Sequence, residues 1–366
     1  MQLVRPPGAG LRPRNLTALL FALLVAGALA AGAPRGAAGA DKRVVTDSTG
    51  RRVEIPGRVE RVFAAGGPAS VLVYALAPDK LVGWNRAPSA EERAFLPERA
   101  GALPTLGRLT GRGNTANVEV VLAAKPDIIV DYGTLGPTYA SLADQVQQQT
   151  GVPYLLYDGS LAAVRTVSEA LGEVLDARGP ARDLARYAER TLGEVDRRIA
   201  RVPADRRPRV YYARGPKGLE TAAPGAINVE SLDRMGARNV AGGDAGPARL
   251  GSVSVEQVLA WNPDVIVTVD PGFAASVRGD RLWRDVKAVK EGRIYLAPLL
   301  PFPWVDSPPS VNRLIGLWWL GRALYPAEFP EDLRAEARTF YALAYHRAPD
   351  DRQLDALLGT SRRSSP

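Results

Sequence analysis

Two similar segments, residues 117–130 and 254–267, constrain the fold of this chain more than any other feature of its sequence. Nine of their fourteen aligned positions carry the same residue, and the matches include turn positions as well as apolar ones. Each copy has a polar residue suited to cap a helix, Asn117 or Ser254, then a short helix, a Pro-Asp turn and an apolar strand. This repetition predicts two related α/β lobes.

Residues 180–202, between the two copies, have the pattern of one long helix. Pro180 suits the first turn, and Pro203 ends the pattern. A helix of this length extends about 35 Å, at about 1.5 Å per residue. Its apolar face is expected to contain residues at three- and four-residue steps, which are Leu184, Tyr187, Ala188, Leu192, Val195, Ile199 and Val202.

The predicted fold class is α/β, with two Rossmann-like three-layer lobes joined by that single long helix. The predicted divisions are an N-terminal lobe at 41–179, the inter-lobe helix at 180–202, a C-terminal lobe at 203–350 and a C-terminal tail at 351–366. Strands alternate with helices in both lobes, so each sheet is expected to be mostly parallel. The predicted strands are 62–65, 81–84, 128–130, 154–157, 210–213, 265–269 and 294–296, after a hairpin at 44–56.

The first forty residues have the features of a secretory signal peptide. Arginines precede an apolar run at 16–31, and Ala38-Gly39-Ala40 forms a small-residue cleavage site. The run is short for a membrane span of about 20 residues, and the chain has no cysteine for a lipid anchor. We therefore expect a soluble, exported, periplasmic protein.

Composition excludes several classes of function. Removing residues 1–40 lowers the formal net charge from +8 to +4, because the segment holds four arginines and no acidic residue. That modest excess does not indicate nucleic-acid binding. With no cysteine, the chain can form neither disulfides nor thiolate metal sites. The only histidine, His346, is far from any predicted strand end and is expected to have a packing or surface role, and no metal site is predicted.

Four sequence features together resemble the substrate-binding proteins of ABC importers for iron complexes, haem and cobalamin. They are the Thr46–Gly50 hairpin turn, the repeated Val-Glu-x-x-Leu-Ala-x-x-Pro-Asp-x-Ile-Val unit, the long helix, and residues 286–295. The resemblance extends from Val44 to Tyr345. It implies a monomeric carrier without cofactor that clasps a small-molecule ligand between its lobes. Its expected partners are an inner-membrane permease and the associated ATPase.

The same family often uses a glutamate on the first helix of each lobe to dock on the permease. In the first lobe that position corresponds to Val71, which departs from the pattern. In the second lobe, Glu230 and Asp233 are the candidates for permease docking.

Ligands of parallel α/β sheets bind beyond the carboxyl ends of the strands. Arginines in such loops suit carboxylate, catecholate or oxyanion groups, and aromatic rings suit flat organic ligands. Ser307 and Pro308 are expected to begin a helix, whose N-terminus would also suit an anion. The predicted ligand-binding residues of the cleft are Trp84, Arg86, Arg108, Tyr132, Tyr212, Arg214 and Trp304, with Arg112 as a further arginine nearby.

The favoured ligand from sequence is an iron chelate, a ferric siderophore. The alternative is an oxyanion such as molybdate or tungstate bound by a protein of the same architecture. An exported two-lobed transferase is a further alternative, but the carboxylates of the repeats look structural. The Gly-x-Gly-x-x-Ala pattern at 111–116 follows a polar loop and not a strand, so it does not indicate a dinucleotide site.

Overall fold

The computed structural model describes residues 41–111, 115–242 and 249–359. The predicted signal peptide, Arg112 and the polar residues 361–366 lie outside the described residues. The strands are β1 (Lys42–Thr46), β2 (Arg52–Pro56), β3 (Val62–Ala64), β4 (Ile128–Gly133), β5 (Tyr154–Asp158), β6 (Arg209–Ala213), β7 (Glu220–Ala222), β8 (Arg238–Asn239), β9 (Leu250–Ser252), β10 (Val265–Thr268) and β11 (Ile294–Leu296).

The helices alternate with these strands, as the sequence predicted. They are α1 (Gly67–Leu76), α2 (Ala90–Arg93), α3 (Glu98–Gly101), α4 (Val118–Ala124), α5 (Pro137–Thr150), α6 (Val164–Val174), α7 (Arg178–Ile199), α8 (Glu230–Arg234), α9 (Val255–Trp261), α10 (Pro271–Ser276), α11 (Lys287–Lys290), α12 (Arg313–Leu324), α13 (Leu333–Ala344) and α14 (Asp351–Gly359). Helix α14 occupies part of the predicted C-terminal tail.

The N-terminal lobe contains a parallel sheet in the order β3-β4-β5. The antiparallel hairpin β1–β2 precedes this sheet in the chain and forms a separate pair. The predicted strand at 81–84 is wrong, since only isolated bridges form there, from Leu81 to Val62 and from Trp84 to Thr105. The backbone of Trp84 pairs with the loop that contains Pro104 and Leu106, so the pairing of Leu81 with β3 is not extended.

The C-terminal lobe contains a parallel sheet in the order β11-β10-β6-β8, with a separate antiparallel pair, β7–β9. The expected helix start at Ser307 and Pro308 is wrong, because α12 begins at Arg313. Ser307 has a φ of +67°, and a residue that precedes proline avoids the helical region. No helix N-terminus is therefore available at this position for an anion.

The two repeats adopt the same local structure. Asn117 and Ser254 each accept a hydrogen bond from a backbone N–H three residues later, which caps α4 and α9. Asp127 accepts from the backbone N–H of Arg61, and Asp264 accepts from that of Arg209. Each aspartate therefore ties its turn to the start of the neighbouring strand, and this explains why the turn residues recur.

Helix α7 joins the lobes and has one buried face, as its periodicity predicted, although it ends at Ile199 and not at Val202. The apolar core is continuous from one lobe to the other. A single cluster contains Val130 of the first sheet and Val267 of the second, together with residues of α7, α12 and α13. The lobes are therefore joined by shared packing as well as by one helix.

Candidate ligand-binding cleft

Residues 306–313, which lead into α12 and include its first residue, contact the carboxyl ends of strands in both lobes. The Ser310 hydroxyl donates to the carbonyl of Pro68 at 2.7 Å, just after β3. A Cβ atom placed on Gly67 would lie 3.2 Å from the Cβ of Pro308. On the other side, Asp306 accepts a hydrogen bond from Tyr212 of β6. The 306–313 segment thus lies where the strand ends of the two lobes meet.

Asp306 is the centre of a buried polar cluster in the C-terminal lobe. Its carboxylate is fully buried and accepts from the Tyr212 hydroxyl at 2.9 Å and from Asn228 Nδ2 at 2.9 Å. Arg214 lies directly after β6, and its Nε is 3.2 Å from Oδ2 of Asp306. Burial raises the pKa of Tyr212 well above its ordinary value, and the nearby Asp306 carboxylate raises it further. Tyr212 therefore stays a neutral donor to Asp306.

The Arg214 guanidinium has more N–H donors than hydrogen-bond acceptors among the described residues. Its side chain is only 16% exposed. Despite the short distance to Asp306, neither Nε nor Nη1 makes a hydrogen bond to any residue that the structure describes. Buried donors of this kind are costly, so a guanidinium in this state is suited to receive an acceptor from a ligand.

Tyr132 provides a similar group at the end of β4 in the N-terminal lobe. It is 1% exposed, and its hydroxyl makes no hydrogen bond within the described part of the chain. Burial raises the pKa of this hydroxyl, although the positive charge of Arg313 acts against it. The hydroxyl is therefore protonated at neutral pH and can donate a hydrogen bond.

The structure places Trp84 and Trp304 in the apolar core. Trp304 is fully buried, and its indole N–H donates to the hydroxyl of Tyr341 at 3.0 Å. Trp84 is 3% exposed and donates to the carbonyl of Ala100 at 2.8 Å. Both indoles are satisfied by protein groups. Burying a whole indole stabilises the fold strongly, so these rings pack inside and are not presented to a ligand.

Arg86 and Arg108 lie in loops of the N-terminal lobe. Arg86 has an exposed side chain that pairs with Glu92 in α2. Arg108 is half-buried, and its backbone pairs with Thr115 and Ala116 across residues 112–114. Of the seven predicted cleft residues, Tyr212 and Arg214 lie together beside Asp306, and Tyr132 lies near a strand end of the opposite lobe.

The residues expected to dock on the permease have other contacts. Val71 is buried in the core. Glu230 accepts from the backbone N–H of Leu161 at 2.8 Å and from Arg313 at 2.6 Å. Asp233 accepts from the backbone N–H of Gly225 at 2.8 Å, and burial raises the pKa of its carboxyl group. Glu230 thus has internal partners on both carboxylate oxygens.

Sequence reasoning missed Asp306 and Arg313. The available signal for Arg313 was an arginine at the start of a largely apolar helix, whose other arginine, Arg322, lies in the last turn. A charge that is buried in such a place must find a partner. Among the described residues, no group of three or more His, Cys, Asp or Glu side chains is placed to hold a metal ion. None of the described helices has the length and apolar character needed to cross a bilayer.

Comparison with known proteins places this geometry in context. The chain is 26% identical over 329 residues to a molybdate-binding protein, MolA, of Haemophilus influenzae, covering 83% of this chain and 91% of the relative. It is 24% identical over 293 residues to an uncharacterized ABC transporter substrate-binding lipoprotein, YvrC, of Bacillus subtilis, covering 78% and 87%.

Solved structures give the same picture. An ABC transporter solute-binding protein of Sulfurospirillum deleyianum superposes with a TM-score of 0.79 and 28% identity, covering 87% of this chain and 99% of that chain. MolA of Haemophilus influenzae bound to molybdate superposes with a TM-score of 0.71 and 24% identity, covering 84% and 99%.

These relatives are substrate-binding proteins of ABC transporters, which work with a membrane permease and its ATPase. They bind the ligand that is transported, and they are neither enzymes nor carriers of a cofactor, as the sequence resemblance implied. Residues 70–299, more than half of the chain, match the family described as periplasmic binding protein, and the chain therefore belongs to that family.

Proposed function

We propose that this protein is an exported, periplasmic carrier of a small tetrahedral oxyanion of the molybdate and tungstate class. The oxyanion binds between the lobes and is delivered to an inner-membrane ABC permease. The observation that carries the proposal is Arg214, whose buried Nε and Nη1 make no hydrogen bond to a described residue. Guanidinium groups offer forked donors to oxyanions and stay charged at any physiological pH.

The hydroxyl of Tyr132 supplies a second donor in this proposal, from the opposite lobe. Like Nε and Nη1 of Arg214, this hydroxyl is buried and makes no hydrogen bond to a described residue. Tyr132 lies near the carboxyl end of the parallel strand β4. A ligand with oxygens on all sides can accept from both lobes at once. This property suits a tetrahedral anion, because its acceptors point in four directions.

Two considerations favour the oxyanion over the ferric siderophore that the sequence favoured. The aromatic residues that the sequence offered to a flat organic ligand were Trp84, Tyr132, Tyr212 and Trp304, and all four rings are buried in the structure. The relative that matches 83% of the chain is described as molybdate-binding. Ferric siderophores remain the competing ligands in the test below.

The charges of the cleft also predict how binding depends on salt. Arg214 lies beside Asp306, and Arg313 lies beside Glu230, so the two formal pairs cancel. We therefore expect hydrogen bonds from Arg214 and Tyr132, more than the net charge of these pairs, to hold the anion. Because buried interactions are screened little by salt, molybdate affinity should change little between low and physiological ionic strength.

Calorimetric titration of the purified protein with molybdate, tungstate and sulfate tests the proposal. Arg214→Met should weaken molybdate binding by about 10- to 150-fold, the equivalent of about 1.5–3 kcal/mol for hydrogen bonds to a charged group. Arg99→Met is the matched control, because Arg99 is an exposed arginine that pairs with Asp79. It should leave the affinity unchanged.

Two results would contradict the oxyanion proposal. One is tight binding of a ferric catecholate or hydroxamate complex by a protein that gives no heat with molybdate or tungstate. The other is an Arg214→Met variant, folded by circular dichroism, that binds molybdate as tightly as the parent protein.

A further inference from the structure

Arg313, the first residue of α12, reaches from the C-terminal lobe to the N-terminal lobe. Its guanidinium is fully buried. Nε donates to the carbonyl of Ser310 at 3.1 Å, and Nη1 donates to Glu230 at 2.6 Å and to the carbonyl of Ile227 at 3.2 Å. The remaining nitrogen, Nη2, donates to the carbonyl of Gly159, directly after β5.

Glu230 makes a second connection in the same direction. Its Oε2 accepts from Arg313, while its Oε1 accepts from the backbone N–H of Leu161 at 2.8 Å. One residue pair of the C-terminal lobe thus holds both a carbonyl and an N–H group of the loop 159–161. Because one contact uses a donor and the other an acceptor, the pair fixes the orientation of this loop as well as its distance.

The loop is rigidly connected to the candidate site. The N–H of Gly159 donates to the carbonyl of Gly133 at 2.8 Å, and Tyr132 of β4 is paired with Tyr157 of β5. A Cβ atom on Gly159 would lie 2.6 Å from the Cα of Gly133, so the two strand ends are in close contact. We therefore expect a shift of the loop to displace the backbone at the end of β4, which carries Tyr132.

We propose that Glu230, Arg313, Gly159 and Leu161 form an interlobe staple that sets the separation of the two lobes at the ligand site. Glu230 and Arg313 are positioning residues, because they act on the ligand through the placement of Tyr132 relative to Arg214. Glu230 has internal partners in this staple, and its role in permease docking stays a prediction. The inference rests on the proposed function only where ligand affinity is concerned.

The distance between the lobes can be measured directly, without any ligand. The natural chain has no cysteine, so two introduced cysteines can be spin-labelled specifically. Gln148 on α5 and Arg281 after α10 are exposed and lie in different lobes. In the Gln148→Cys/Arg281→Cys protein, pulsed electron paramagnetic resonance should give one narrow distance distribution.

Glu230→Ala should broaden or shift that distribution, because both connections to the loop are weakened. Glu230→Gln should do so less, since its amide oxygen can still accept from Leu161. The Glu230→Gln/Arg313→Met double variant leaves no unpaired buried charge and keeps the test valid if the alanine variant does not fold. It too should broaden the distribution, because the contact with Gly159 is lost.

Asp47→Ala is the matched control, because Asp47 belongs to a buried ion pair that connects elements of the N-terminal lobe only. It should lower thermal stability and leave the distance distribution unchanged. If the folded staple variants keep the parent distribution, the inference is wrong.

Titration with sodium molybdate separates this inference from the proposed function. If only about a tenth of the variant molecules keep the lobes correctly spaced, the apparent affinity falls about tenfold. A changed distance distribution in a protein that never binds molybdate would support the staple and contradict the oxyanion. An unchanged distance distribution with normal molybdate binding would contradict the staple and support the oxyanion.

Discussion

Replacing Asp47 with alanine measures how strongly the hairpin turn between β1 and β2 is tied to the first sheet. The Asp47 side chain is buried and accepts from the backbone and hydroxyl groups of Thr49, from the Arg51 guanidinium and from the N–H of Leu156 on β5. Arg51 also pairs with Asp144 and the carbonyl of Tyr154. The turn motif is thus one connected network.

The expected cost follows from these contacts. Removing one partner of a buried ion pair costs about 3–5 kcal/mol, mainly because the other charge is left unpaired. Arg51 would keep Asp144 and the Tyr154 carbonyl after the change, so we expect a loss near the lower limit, about 3 kcal/mol. Urea denaturation at neutral pH measures the loss.

Asp144→Ala is the matched control, since Asp144 pairs with the same Arg51 while its own side chain is 67% exposed. An exposed ion pair contributes about 0–1 kcal/mol, so this variant should be nearly as stable as the parent. Equal losses for Asp47→Ala and Asp144→Ala would refute the reasoning from burial.

The effect of Asp47 should also depend on pH. Burial by itself raises the pKa of Asp47, but the hydrogen bonds from Thr49, Arg51 and Leu156 outweigh it, so the pKa lies below its ordinary value of 3.8. A carboxylate whose pKa is lowered by folding stabilises the protein above its unfolded-state pKa, and this contribution disappears as pH falls through the folded pKa. The stability difference between parent and Asp47→Ala should therefore narrow below about pH 4. A constant difference down to strongly acidic pH would contradict the assigned ionisation.

Four further substitutions test the packing and one exposed ion pair. Gly316→Ala should prevent stable folding, because its Cβ would lie 1.9 Å from the carbonyl oxygen of Trp304. Gly193→Ala has open space around the new Cβ and should stabilise α7 by up to about 1 kcal/mol. Thermal melts distinguish the two variants. Trp304→Phe should lower the free energy of unfolding, since it replaces the buried indole with a smaller ring and removes the hydrogen bond to Tyr341. It should leave molybdate affinity unchanged in a folded protein. Arg86→Ala should change the free energy of unfolding by less than about 1 kcal/mol, because its side chain is 61% exposed, and urea denaturation checks this.

Local patterns predicted the elements of the fold well because their causes are local. The repeated Asn117 and Ser254 caps and the amphipathic face of α7 depend on contacts within a few residues, and the structure has all of them. The predicted helix start at Ser307 failed for a reason that is also local, the tandem prolines and the positive φ before them. Sequence patterns thus identified the helices and strands more reliably than the loops between them.

The candidate site was less predictable, because side-chain direction depends on distant residues. Trp84 and Trp304 occupy positions in the sequence that suit a ligand site. In the structure, however, the indole of Trp84 donates to Ala100 and that of Trp304 donates to Tyr341, both within the core. Arg214 was predicted from its place after β6, but Asp306, its neighbour in space, is far along the chain. No spacing in the sequence connects the two residues.

The two-lobed α/β plan, the joining helix and the family could all be inferred from the sequence, because periodicity, capping and the repeated Pro-Asp turn are properties of short segments. Which polar groups meet between the lobes became evident from the complete fold. The contacts of Arg313 with Glu230 and Gly159 join residues that lie 83 and 154 positions away. Such contacts form because a buried charge must be paired wherever the completed fold brings a partner. The local sequence can mark the charge, but it does not identify the partner.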